Sequence, residues 1–140
     1  MNVWMRHPDS GGVKIKPEVH ERIASRIRRY AEKNYAGKYT RLDIRFRGVF
    51  CYIDAYTEPR EPSAELLKIT GKTSEEYLER LRNLPMHLCR LRYFGDDEMW
   101  SLSFYTYSHE AYELSVFPSG NFYGTPEEGF KVGAMYLQDL

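Results

Sequence analysis

The sequence predicts an α+β fold of two layers, in the order α-β-β-α-β-β-β-(β)-α. An antiparallel sheet of about five to six strands is expected, packed on one face by an N-terminal and a C-terminal helix. Three observations carry this. The apolar period is helical near both ends of the chain. It is two in the middle. Short turn sequences join the alternating segments into hairpins. At 140 residues the chain has the length of one domain. A chain of this size buries roughly two-thirds of its surface on folding, enough for a core without disulfide or metal staples.

Residues 1–15 read as a flexible leader, with Trp4 as its one docking candidate, and 16–140 as a single α+β domain. Pro17 suits a first helical turn. Val19, Ile23, Ile27 and Tyr30 then recur at helical spacing, and Gly37 stops the helix, which is expected near 17–35. Leu42, Ile44 and Phe46 alternate with Asp43, Arg45 and Arg47 as a half-buried strand. Arg47-Gly48 makes a tight turn into Val49–Tyr56, a strand apolar on both sides except at Asp54 and therefore expected to be central. Residues 57–72, with Pro59, Pro62, Ser63 and Gly71, read as a loop. Thr73 and Glu76 form a capping box for a helix near 74–83, ended by Pro85. Met86–Tyr93 and Met99–Tyr107 make a second hairpin around Gly95-Asp96-Asp97. Tyr112–Phe117 is a further strand, and Phe122-Tyr123 a short last one. Thr125-Pro126-Glu127-Glu128 is the clearest helix start in the chain. Phe130, Ala134 and Leu137 mark the buried side of that helix, and Gly129 and Gly133 suit a close approach to the sheet.

Aromatic residues make up 15% of the chain and mean hydropathy is −0.61, which sets it apart from disordered sequences. There is no apolar run of membrane-spanning length and no signal-peptide core, so a soluble cytoplasmic protein is expected. Lys and Arg number 20, as do Asp and Glu. A basic field over the whole molecule is excluded. Residues 1–60 hold 13 basic and 7 acidic groups and residues 61–140 the reverse, so one basic face is not. Cys51 and Cys89 sit in apolar runs and read as buried thiols.

Several motifs fail on spacing. Gly71-Lys72-Thr73 imitates the end of a phosphate loop, but Leu66 stands where that loop needs glycine. His109-Glu110 begins a zinc-protease motif, but Glu113 replaces the second histidine. No cofactor and no metal is called for. His109, in a polar turn, is accessible as a general base or is an ordinary solvated residue. His87 and Cys89, two apart on one strand, offer a thiolate–imidazole pair. Asp54 is either a desolvated functional carboxylate or the partner of Arg45 or Arg90. Asp96, Asp97 and Glu98 read as a solvated acidic hairpin tip.

The polar side of the sheet is the strongest constellation. Asp43, Arg45 and Arg47 alternate outward in one strand, Arg90 and Arg92 in another, and Ser101, Ser103, Tyr105 and Tyr107 in the next. Glu113 and Ser115 are expected to follow. Guanidinium forks bind phosphate or carboxylate, and tyrosine faces stack on bases. The competing reading is an ordinary ladder of cross-strand pairs. Arg22, Arg26, Arg29 and Lys33 form a secondary basic patch on one face of the first helix.

Asn34–Gly48, His87–Gly95 and the run from Phe104 through Phe130 together carry a resemblance. The chain resembles a set of short bacterial proteins with no assigned activity, over about 34–56 and 84–130. The resemblance implies a bacterial, intracellular protein and nothing mechanistic. The residues themselves point first to a small non-enzymatic binding module. Its Arg/Tyr face (Arg45, Arg47, Arg90, Arg92, Tyr105, Tyr107) would meet an acidic protein or single-stranded nucleic acid. Homodimerisation through a sheet edge or that same face is a companion expectation. A hydrolase-like enzyme using Asp54, His109 or His87/Cys89 is the alternative. A structural or inhibitory partner protein recognised through 57–72 is the third reading.

Overall fold

The computed structural model describes residues 7–137. Trp4 therefore lies outside the described residues. The elements are α1 (Pro17–Tyr35), β1 (Arg41–Arg47), β2 (Phe50–Tyr56), α2 (Ala64–Thr70), α3 (Ser74–Arg82), β3 (Met86–Asp96), β4 (Met99–Thr106), β5 (Ala111–Ser115), β6 (Tyr123–Gly124) and α4 (Pro126–Gly133). A short 3-10 turn, Ala134–Leu137, continues α4. All strand pairings are antiparallel, in the order β1-β2-β3-β4-β5, and β6 pairs with β4 beside β5.

α1 buries Val19, Ile23 and Ile27 of the predicted stripe together with Ala31, while Tyr30 is only partly covered. Those side chains and Phe130 of α4 pack over Cys51, Ile53, Leu91, Trp100 and Leu102 of the sheet. α4 starts with a full capping box. Thr125 accepts from the Glu128 amide, and the Glu128 carboxylate accepts from the Thr125 amide. Its two glycines are required by proximity. A Cβ at Gly129 would stand 2.6 Å from Leu91, and one at Gly133 2.8 Å from the Leu88 carbonyl oxygen. α4 thus lies closer to the sheet than a side chain allows.

Two segments differ from expectation. Residues 57–72 contain α2, capped by Ser63 and ended by left-handed Gly71. Neither α2 nor α3 has a buried residue, and Ile69 is 82% exposed. With no face to bury, α2 leaves almost no periodic signal. Residues 7–15, expected to be a loose leader, form a strap bonded to the sheet. The Val13 amide donates to the Tyr93 carbonyl at 2.8 Å and the Ile15 amide to that of Gly48 at 2.9 Å. The strap exists because backbone groups, which composition does not advertise, find partners at the sheet end. No helix among the described residues is long and apolar enough to cross a membrane.

Candidate functional site

The helices cover one face of the sheet and leave the other open, apart from the Arg92–Ser101 end, which the strap of residues 7–15 crosses. Register arranges the open face in rows. Arg45 lies opposite Tyr52, Tyr52 opposite Arg90, Arg90 opposite Ser103, and Ser103 opposite Leu114. A second row runs Arg47, Phe50, Arg92, Ser101 and Tyr123. A third starts Asp43, Asp54 and His87, and continues by contact. The His87 ring packs on Tyr105 at 4.7 Å between centroids, and Tyr105 lies opposite Tyr112. Tyr107 follows just past the end of β4, its ring 4.8 Å from that of Tyr105. Arg45, Arg47, Arg90, Arg92, Tyr105 and Tyr107 thus share one surface, as alternation predicts.

Asp54 sits at the centre. Its carboxylate is shared: Oδ1 bonds His87 Nδ1 at 2.8 Å, and Oδ2 accepts from Arg45 Nη1 at 2.6 Å. The same Nη1 also donates to Asp43 at 2.7 Å. The Asp54 side chain is 2% exposed, that of His87 32% and that of Arg45 46%. Hydrogen bonds to Asp54 and then Asp43 raise the Arg45 pKa further above its ordinary value, so its charge is permanent. The Tyr107 hydroxyl accepts from the His87 amide at 2.8 Å, which fixes this end of β3. Burial, and then the Asp54 charge, raise the Tyr112 pKa and keep its phenol protonated.

Aromatic rings and cations interleave around this centre. The Arg90 guanidinium lies over Phe50 at 4.2 Å and over Tyr112 at 5.2 Å. Tyr52 and Tyr112 meet edge to face at 5.7 Å. Among the described residues, the ion pairs leave Arg90 and exposed Arg47 without a carboxylate. Arg92 has a different task. It donates to the Gly11 and Asp9 carbonyls at 2.8 and 3.2 Å and so anchors the strap. Its side chain is mostly covered, and burial lowers its pKa. The Ser101 hydroxyl holds the Pro8 carbonyl in the same way.

Beyond this face, a groove of about 470 Å³ opens between α3 and the strand ends. Tyr77 and Leu81 line one side, and Met86, Tyr107 and Tyr136 the other.

Several expected pairings are rearranged. His87 and Cys89 do not share a face. The register slips between Ile53 and Asp54, so Cys89 pairs with Ile53 while His87 pairs with Asp54. The extra residue, Leu88, turns the two side chains apart. Cys89 faces α4, and burial pushes its thiol pKa well up, as it does for Cys51. Neither thiol is a nucleophile at neutral pH. On β5, Glu113 and Ser115 lie opposite Phe104 and Leu102, so Tyr112 and Leu114 take the open face in their place. His109 bonds exposed Glu113, whose carboxyl this contact holds below its ordinary range. The secondary basic patch is half committed. Arg22 pairs with Asp97, and Arg26 with Glu98 and Glu127, which ties α1 to the β3–β4 turn and to α4. Arg29 donates to Ser25, and Lys33 lies in the last turn of α1. The acidic turn is therefore a structural partner of α1. No metal-holding group of three or more His, Cys, Asp or Glu occurs among the described residues.

Sequence alternation finds Arg45, Arg90 and Tyr105. It misses the union of Asp54 with His87 and the place of Tyr112, which depend on a bulge and on strand register. Comparison with known proteins found no matching family model, curated protein or solved structure.

Proposed function

We propose that the open sheet face is a binding platform for single-stranded nucleic acid in the bacterial cytoplasm. One observation carries this reading: Arg90, with no carboxylate partner among the described residues, lies across Phe50 and Tyr112 in the row that joins Arg45 to Tyr52. Stacked guanidinium and phenol planes suit unpaired bases, and free guanidinium donors suit phosphates. An acidic protein surface would use the cations and leave the rings idle.

Fluorescence anisotropy with labelled single-stranded RNA, single-stranded DNA and duplex DNA tests it. Both single strands are expected to bind in the micromolar range at low salt, and the duplex more weakly. With three phosphate contacts, from Arg45, Arg47 and Arg90, affinity drops about 20-fold between 50 and 200 mM salt. Arg90→Ala weakens binding at every salt concentration and flattens that slope. Absence of binding by any strand at low salt refutes the platform.

A further inference from the structure

We propose that the Asp54–His87 pair makes this face an RNA-cleaving site, with the 2′-hydroxyl of the bound strand as nucleophile. The inference rests on the single-strand reading above and adds a reaction to it.

The geometry supplies a base. An ionised carboxylate only accepts hydrogen bonds, so the contact of Asp54 Oδ1 with His87 Nδ1 at 2.8 Å puts the ring proton on Nδ1. The lone pair of neutral His87 is then on Nε2, to which no described residue is bonded. The side chain is one-third exposed, while Asp54 beneath it is almost fully covered. The ring packs on Tyr105, and the backbone amide's hydrogen bond to the Tyr107 hydroxyl fixes the strand end that carries it. His87 is the catalytic residue, and Asp54 is a positioning residue that holds the tautomer.

The geometry also supplies a cation on the same carboxylate. Arg45 makes both of its ion pairs through Nη1. No described residue is bonded to its Nε or Nη2, which leaves these donors for a phosphate whose charge grows in the transition state. Among the described residues, no hydroxyl or thiol is hydrogen-bonded to the imidazole. Cys89 lies on the opposite face, and the Tyr107 hydroxyl is engaged with the His87 amide. The nucleophile therefore comes with the ligand, and RNA carries a hydroxyl beside every phosphate.

The step balances without a redox partner. His87 Nε2 takes the 2′-hydroxyl proton, the O2′–P bond forms and the P–O5′ bond breaks. The leaving oxygen takes a proton from solvent, and the imidazolium returns its own proton to solvent. The products are a 2′,3′-cyclic phosphate and a 5′-hydroxyl.

A fluorescein-labelled RNA oligonucleotide and its all-deoxy counterpart test the proposal, with binding and cleavage read on the same samples. The RNA is expected to be cut to cyclic-phosphate ends, and the deoxy strand to bind and stay intact. His87→Ala, purified identically, loses about 10²–10⁴-fold in rate and still binds RNA, as expected for a lost general base. Added imidazole restores part of that rate. Asp54→Asn lowers the rate without weakening RNA binding. RNA that binds and remains whole overturns the proposal and leaves the platform standing. So does a His87→Ala protein as fast as the wild type. If neither strand binds, the platform itself fails and the cleavage proposal with it.

Discussion

Replacing Arg45 by methionine tests the shared carboxylate directly. Arg45→Met keeps a long apolar stem on the strand and removes the cation bonded to Asp54 Oδ2. Breaking a buried ion pair from one side costs about 3–5 kcal/mol, because the remaining charge is left desolvated. Two features of this site lower the cost. The Arg45 side chain is 46% exposed, so water partly screens the pair. His87 also stays on Oδ1. We expect a loss of about 2 kcal/mol, between the value of an exposed pair and that of a buried one. That corresponds to a fall of roughly 6 °C in melting temperature for a domain of this size. Urea unfolding followed by circular dichroism reads it, with Arg41→Met as the control, since Arg41 lies over the Tyr56 ring at 4.0 Å. The double variant Arg45→Met/Asp54→Asn removes both charges. It should recover at least about 1 kcal/mol of the summed single losses. A change within about 0.5 kcal/mol for Arg45→Met, or a coupling near zero, refutes the claim that Asp54 is a buried charge shared between Arg45 and His87.

Gly133→Ala places a methyl 2.8 Å from the Leu88 carbonyl oxygen and 3.1 Å from Cys89 Cβ. The clash is expected to outweigh the gain in helix propensity and to destabilise the protein by about 1–3 kcal/mol in urea titration. Stability also depends on pH through Asp97, whose carboxyl Arg22 holds below its ordinary value of 3.8. A depressed folded pKa contributes stability that is complete above the unfolded value and is lost as pH falls through the folded one. Urea midpoints should thus decline below about pH 4, and Asp97→Asn should flatten that decline.

Local signals were legible in the sequence because they act over a few residues. The stripe of Val19, Ile23 and Ile27 and the cap at Thr125-Glu128 need only their own helices. The outward alternation of Arg45 and Arg47 needs only one strand. The site was half legible for the same reason: its cations and Tyr105 follow from period two. Its centre did not follow. Leu88 is an ordinary strand residue by type, and nothing local marks it as the extra residue that turns His87 toward Asp54. Tyr112 faces the platform because Thr106 pairs with Ala111, a matter of register between strands. The strap is held by the carbonyls of Pro8, Asp9 and Gly11, groups that every sequence possesses. Arg92, which alternation assigns to the platform, serves that strap.

The long connection between β2 and β3 bears on how the molecule assembles. These strands are neighbours, yet Tyr56 and Met86 are separated by both α2 and α3, whereas β1 and β2 are joined by Gly48-Val49 alone. Closing the longer loop costs about 2 kcal/mol more in chain entropy than closing the short turn. Sequence-local pairing therefore favours two independent hairpins, β1–β2 and β3–β4, whose later union is the slow, non-local event. Asp54 belongs to the first hairpin and His87 to the second. Their hydrogen bond crosses the seam, so the pair at the centre of the open face comes into being only when the two halves of the sheet have zipped together.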